Sequence, residues 1–423
     1  MCEWEAPPEP DVVRRCSVPA TPTTHSRRSF LKTVVFGAGV VGAPSTIIQP
    51  AGRSGARLTT GQPSGDFVPF YGKHQAGIET EPPAHLEFAA YDVTTTSVED
   101  LVDLLRGWTH AAAAFGAGRS VADASGQPLS LPRNSLTLTF GFGPNVFDGR
   151  FGLSQRAPKG LQPLPPFATD QLDAAISGGD LAIQACSNDQ SVASMAIEHL
   201  SRIAAGLAVV RWQQAGFRSS MAAGRVPTFR NLLGFKDGTA NPASGTSAFD
   251  STVWISSSSQ PSWVRGGTFL CFRHIQTDVA KWNTLSVPDQ QVAIGRTKES
   301  GAPLSGGSEF SPLNLQKLDA NGVPAIPIDS HVRLASPEVN GGARLLRRGY
   351  NYDNGVNPMT GSREEGLLFL AYVKDIDKQF VPIQQRLAEH DRLNPFITPV
   401  GSAVFFVPPG CRRGGWIGES LFS

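Results

Sequence analysis

Apolar and polar positions along this chain alternate with two periods, and the order in which the periods appear is repeated. HLEFAAYDV, His85 to Val93, has the spacing and composition of a strand. In SVEDLVDLLRGWTHAAAAF, which follows it, apolar residues recur at helical spacing, and Ser97 with Asp100 makes a capping-box-like start. SLTLTFGFG, Ser135 to Gly143, and DLAIQACS, Asp180 to Ser187, are predicted strands. A helix then sets Val192, Met195, Ala196, Ile203 and Leu207 at helical spacing, and AVVRWQQAGF closes the first half as a strand.

The second half runs through the same order. GTFLCFRHIQ (Gly267 to Gln276) reads as a strand, DVAKWNTL as a helix, ARLLRRGYNY (Ala343 to Tyr352) and GLLFLAYV (Gly366 to Val373) as strands. FVPIQQRL follows as a helix and GSAVFFVPP (Gly401 to Pro409) as a strand. Strand–helix–strand–strand–helix–strand twice over predicts an α+β protein of duplicated ferredoxin-like (βαββαβ) domains. The reading divides the chain into an N-terminal segment, residues 1–56, and two domains, 57–230 and 231–423. Each half offers a four-stranded antiparallel sheet with helices on one face, and two such sheets facing each other leave a gap that needs filling. The stretch from Lys281 to Asp329 stands outside this rhythm; a polar, glycine-rich connection of that length is expected to be functional or disordered.

Composition removes several function classes. The 37 basic and 36 acidic residues nearly cancel, which leaves no field for nucleic acid or an anionic membrane surface. Glycine and proline, 44 and 33, suit a loop-rich α+β protein better than a bundle. The cysteines, at positions 2, 16, 186, 271 and 411, include no C-x-x-C pair, so neither zinc spacing nor a redox dithiol is present. At the N-terminus, SRRSFLK (Ser26 to Lys32) precedes the weakly hydrophobic TVVFGAGVVGAPSTII (Thr33 to Ile48), the pattern of a twin-arginine export signal. That run is short of the about 20 apolar residues a membrane span needs. The expectation is export in folded form to the periplasm or beyond, with cleavage between Ala43 and Ala56 and no span in the mature chain.

The chemistry concentrates in two stretches. RNLLGFKDGTANP, Arg230 to Pro242, is apolar, then glycine-rich, and presents one carboxylate, Asp237, at a turn. Its glycines let the backbone approach a flat apolar partner closely. IPIDSHVRLASPEVNGGARLLRRGYNYD sets His331 in an apolar context, with Val332 and Leu334 alternating against Arg333, and Arg347 in a strand-like run where a guanidinium needs a partner. A lone histidine there is more often a satisfied structural residue than a ligand. Joined to an arginine and an aspartate on poorly solvated elements, it forms a recognisable set: a neutral imidazole can ligate iron axially, and a carboxylate with a guanidinium on the opposite face can handle a peroxide.

GFKDGTANP resembles the G-x-x-D-G signature of the dye-decolorising peroxidases. FYGKHQAGIET, IGRTKESGAPL, HVRLASP, LLRRGYNYD and FVPIQQRL resemble further blocks of that family in the same order, from about Asp66 to Trp416. The likeness is greatest to its exported subgroup, which includes deferrochelatase/peroxidases. The resemblance implies a haem-dependent peroxidase holding one non-covalent haem b per chain, and the missing C-x-x-C-H agrees that no thioether links it. It implies His331 as proximal iron ligand, Asp237 as distal acid/base and Arg347 as charge stabiliser. Gly238, Thr239, Ala240, Ser336, Pro337 and Glu338 would line the haem, and Leu367 and Phe369 would wall its distal side. The macrocycle is expected to fill the gap between the related sheets, lying between sheet and helices.

Around this set further roles are assigned. Asp391, with Glu389 in reserve, is the candidate to accept the other ring N–H of His331, and Arg273 and Arg296 are candidates for the haem propionates. Substrates would be hydrogen peroxide and an organic reductant. An aspartate, with an ordinary pKa of about 3.9 against roughly 6.5 for histidine, predicts peroxidase activity on the acid side. Bulky dyes cannot enter a pocket sized for peroxide, so electrons would come through surface Trp or Tyr, with Tyr350, Tyr352, Trp254, Trp263 and Trp282 as candidates. The alternative is a haem-handling, deferrochelatase-like protein that releases iron from haem; a cofactor-free binding domain is opposed by the intact Asp237, His331 and Arg347 set. Family members often associate, so a homo-oligomer belongs to the same expectation.

Overall fold

The computed structural model describes residues 67–122, 126–218 and 228–423; the twin-arginine stretch and its cleavage region lie outside them. The first half comprises β1 (His85–Val93), α1 (Val98–Gly116), β2 (Thr137–Phe142), β3 (Leu181–Ser187), α2 (Gln190–Ile203) and β4 (Ala208–Phe217). In the second, α3 (Ser247–Val253) precedes β5 (Thr268–Thr277), α4 (Val287–Ile294), the single-turn α5 (His331–Leu334), β6 (Leu346–Arg347), β7 (Tyr350–Val356), β8 (Arg363–Val373), α6 (Val381–His390) and β9 (Ile397–Val407).

Local chemistry sets these elements. α1 begins where the Ser97 hydroxyl accepts the Asp100 N–H, with Glu99 and Asp100 at the positive end of the helix. α2 is capped by Asp189 and buries Val192, Ala193, Ala196, Ile197 and Leu200. Met195, expected on that face, is 39% exposed, because the buried stripe runs through 193, 196, 197 and 200 and leaves position 195 on the far side. His331 opens a single helical turn, and within that turn Leu334 is the buried one.

The strands form one sheet in the order β5-β9-β2-β3-β1-β4-β7-β8-β6, and β5 also pairs with β8, so the sheet closes on itself. Each half keeps the ferredoxin-like order, β2-β3-β1-β4 and β7-β8-β5-β9. The halves join through the register pairs Phe406 with Phe142 and Phe217 with Asn351. Inside the closed sheet the expected gap is full. Phe88 of β1 stacks on Phe272 of β5 with ring centroids 4.7 Å apart, and Trp212 and Phe405 pack beside them. The expectation of a macrocycle between the sheets is thereby corrected: aromatic side chains, each burying a large apolar area, occupy that space.

The outer faces differ. In the first half α1 and α2 lie on the sheet, and Leu104, Leu105 and Trp108 share a buried cluster with Ala89, Tyr91, Leu138 and Ile183. In the second half β8 sends Leu368, Leu370 and Tyr372 inward to full burial, while Leu367 and Phe369 on the outer face stay half-buried.

Candidate functional site

β6 and β7 both pair with the same stretch of chain, β8, and are in effect one strand interrupted at Arg348 and Gly349. Arg347 lies opposite Ala371, on the outer face. Arg348 turns inward, is 2% exposed, and donates from Nη1 to the carbonyls of Ile78 and Thr80. A Cβ added at Gly349 would press on Leu367 at 3.3 Å and lie in ordinary contact, 3.8 Å, with the Asp237 carboxylate.

Asp237 reaches this place on a turn closed by Asn231 N–H to the Phe235 carbonyl, 3.1 Å, and Asp237 N–H to the Phe229 carbonyl, 2.7 Å. Gly234 and Gly238 carry φ of 84° and 99°, a left-handed backbone that a side chain would strain. An Asp237 oxygen then lies 3.3 Å from Arg347 Nη1. Asn241 locks the two segments together: its amide donates to the Arg347 carbonyl (2.7 Å) and accepts the Arg347 N–H (3.0 Å). On the other side of the turn Glu309 takes Lys236, Thr228 and Thr239. Arg296 donates to the carbonyls of Gly301 (2.7 Å) and Glu309 (2.9 Å). Burial, and after it the charge of Arg347, hold the Arg296 pKa below its ordinary value.

His331 faces this group from α5. Its Nδ1 lies 2.6 Å from Asp391 Oδ2 at the end of α6, and the second Asp391 oxygen accepts the Leu393 N–H at 2.9 Å. With Nδ1 engaged, Nε2 is the nitrogen left for a metal. Burial opposes a charged ring, yet the Asp391 charge and hydrogen bond outweigh it and raise the His331 pKa. The charges of Arg347 and Asp237 are also felt at the ring, the first lowering and the second raising its pKa.

The remaining candidates divide. Ser336 is buried, and its hydroxyl finds no partner among the described residues. Pro337 opens a single 3-10 turn, and Thr239 is bound to Glu309. Ala240 and Glu338 are exposed. Arg273 sits across from Phe369, but its guanidinium is already paired with Asp170 and is 1% exposed. Glu389 bonds Gln385 at the surface, which leaves Asp391 alone on the imidazole. Tyr350, Tyr352, Trp254, Trp263 and Trp282 are all buried, so none of these electron-relay candidates is at the surface.

Asn241, Lys236, Glu309 and Asp170 escaped the sequence reading. Asn241 and Lys236 lay inside the GFKDGTANP block, where a short amide just before a proline is a signal for backbone bonding. Asp170 and Glu309 lie in loops whose partners are distant in sequence, and no local pattern marks them.

The donor set suits a haem: one imidazole nitrogen on the helix side, an acid and a guanidinium on the sheet side, apolar Leu367 and Phe369 between strands, and the unpartnered Ser336 hydroxyl. Comparison with known proteins agrees. The family models for the N-terminal and C-terminal parts of Dyp-type peroxidases match residues 75–218 and 228–412. A dye-decolorizing peroxidase of Thermobifida fusca is 36% identical over 440 residues, spanning 98% of this chain and 99% of that protein. A deferrochelatase of Shigella flexneri is 36% identical over 371 residues, 84% of this chain and 87% of its own length. DtpA of Streptomyces lividans, solved as an oxyferrous complex, superposes with a TM-score of 0.79 at 37% identity, covering 84% of this chain and 98% of that one.

Proposed function

The chain belongs to the Dyp-type peroxidase family and is a haem-dependent peroxidase, and on that premise we propose that Asp237 is its distal acid/base, Arg347 its charge stabiliser and His331 its proximal ligand. The observation that carries the reading is convergence. Arg347 lies 3.3 Å from Asp237, the charges of both are felt at the His331 ring, and Asp391 holds that ring by Nδ1.

Haem, when bound, supplies the iron at which the O–O bond of hydrogen peroxide is broken. Peroxide must lose a proton from one oxygen and gain one on the other before water can leave. The Asp237 carboxylate takes the first proton and returns it to the departing oxygen. The Arg347 guanidinium faces the negative charge that builds as the bond lengthens. Asn241 fixes the strand backbone from which that guanidinium projects. Asp391, hydrogen-bonded at 2.6 Å, orients the imidazole and increases its basicity. Leu367 and Phe369 exclude water from the sheet side, Ser336 and Pro337 border the helix side, and Arg296, whose Nη1 is taken by the Gly301 and Glu309 carbonyls, offers its other N–H groups to a propionate. A carboxylate in the base role favours turnover on the acid side.

The test is stopped-flow mixing of the haem-loaded protein with peroxide. Asp237→Asn slows the peroxide step at least about ten-fold, ~1.4 kcal/mol; an unchanged rate removes Asp237 from the mechanism. The kinship with proteins named deferrochelatase supports a second reading, release of iron from haem. It predicts fluorescent iron-free porphyrin after incubation of haem-loaded protein, and its absence rejects that role. Ser26 to Ile48 is proposed as a twin-arginine export signal. Among the described residues no helix is long and apolar enough to cross a membrane. Retention of an Arg27→Lys, Arg28→Lys variant in the cytoplasm is the expected result of fractionation.

A further inference from the structure

A narrow peroxide site raises the question of where a bulky reductant delivers its electrons. Among the described residues every tryptophan and tyrosine is buried except Tyr71 and Trp416. Both half-exposed rings line one pocket of about 600 Å³, in the size range of small-molecule sites. Cations surround them. The Arg413 guanidinium lies over the Tyr71 ring at 5.6 Å and that of Arg106 over Trp416 at 5.4 Å, while Lys73 and Arg412 form part of the wall. Glu419 is the acid in that lining. Flat aromatic faces with excess positive charge recognise a flat aromatic anion, by stacking and by charge.

A path leads inward from this pocket. A Cβ added at Gly266 would lie 3.6 Å from Pro409 in the pocket wall and 3.9 Å from the ring of His74, so wall and ring are one residue apart. His74, whose Nδ1 lies 2.7 Å from the Gly266 carbonyl, stacks on Trp254 with centroids 3.7 Å apart and planes within 9°. Burial holds the His74 pKa below its ordinary value and so disfavours a charged ring beside the indole. Trp254 ends α3, which packs on β6 and β8, the strands bearing Arg347 and Phe369. The other buried tryptophans donate their N–H to carbonyls: Trp108 to Leu200, Trp212 to Gly178, Trp263 to Arg156 and Trp282 to Leu233. Among the described residues the buried N–H of Trp254 has no partner.

We propose that the pocket of Tyr71, Lys73, Arg412 and Trp416 docks an anionic aromatic reductant, and that its electrons pass inward through Trp254 stacked on His74. The proposal rests on the peroxidase reading and locates the reductant away from the peroxide site. Trp254 gives one electron to the oxidising equivalent left by peroxide reduction, and one electron from the docked donor restores it. With no acceptor for its N–H among the described residues, the indole keeps its proton throughout, so no proton crosses the core. The donor's own proton, where it loses one, leaves to water at the open pocket. Two donor molecules supply the two electrons that, with two protons, convert hydrogen peroxide to two waters.

Equilibrium dialysis of 2,6-naphthalenedisulfonate against the haem-loaded protein, without peroxide, reads the pocket alone, whether or not the peroxidase reading holds. The paired change Arg412→Ser, Trp416→Leu raises its Kd about ten-fold or more, ~1.4 kcal/mol; an unchanged Kd overturns the docking site. Freeze-quenched samples with peroxide and no donor show an indole radical by electron paramagnetic resonance, and Trp254→Phe removes it. In that variant the turnover of a sulfonated dye relative to hydroquinone falls about ten-fold or more. A radical and a ratio that persist in Trp254→Phe overturn the path.

Discussion

The two halves share a topology and put it to different use. The outer face of the first sheet is closed by protein: α1 lays a stripe of Leu101, Leu104, Leu105, Trp108 and Ala112 on it, and Trp108 ties across to the Leu200 carbonyl of α2 at 2.8 Å. On the second sheet the first helical connection is broken into short pieces, among them α4 and the single turn of α5, with a long loop between them. That loop brings Arg296 and Glu309, and the last turn brings His331. One copy therefore holds a packed core on its outer face, and the other carries Arg296, Glu309 and His331 on its broken connection. Repetition provides the frame, and departure from the repeat provides the chemistry.

Substitutions sharpen this contrast, the largest effect first. His331→Ala removes the proposed iron ligand; the protein folds, by circular dichroism, but loses haem on gel filtration. On the filled face Trp108→Ala costs about 3–5 kcal/mol of stability, read by urea unfolding, with haem stoichiometry intact. Loss of haem from that variant before unfolding would show the two faces to be one cooperative unit. Asp391→Asn leaves the ring an acceptor but removes the charge beside it, and haem affinity or peroxide reactivity falls about 10–100-fold. Asn241→Ala unlocks Arg347 from the Asp237 turn, costing about 1–2 kcal/mol in the peroxide step, with haem content unchanged.

The last effect, absent at neutral pH, concerns the interior shared by both halves. Burial pushes the His274 pKa down to about 4, from an ordinary 6.5, against the edge of the Tyr352 ring. Between those values the unfolded chain binds a proton that the folded one refuses. Stability from this residue therefore falls as pH drops from about 6.5 and levels off below about 4. His274→Phe flattens the acid limb of a thermal-stability profile in that window. A profile unchanged by the substitution would assign acid sensitivity elsewhere.

Much of this arrangement was legible in the sequence because periodic segments report burial directly. β1 and β4 have the bounds that alternation gave them, His85–Val93 and Ala208–Phe217. The interrupted strand at Arg347 was legible as well, although its gap was not, since Gly349 reads as a flaw until the Asp237 carboxylate is seen beside it. Local pattern carries no information about which charge meets which. Arg273 looked free in its strand and is held by Asp170; Asp391 was one of two acids in LAEHDRLNPF and reaches His331 because α6 ends there. The filling of the gap between sheets depended on closure of the ring, and closure rests on the pairing of β5 with β8 and on register pairs between halves.

Arg348 has a consequence for engineering. Its guanidinium belongs to the second half by sequence, yet it is spent on the carbonyls of Ile78 and Thr80, ahead of the first strand. Produced as separate polypeptides, the halves would leave this cation in an apolar interior with nothing to satisfy it. Chimaeras that exchange one half between relatives must therefore transplant FYGKHQAGIET together with the C-terminal piece, as a strap that travels with its buckle.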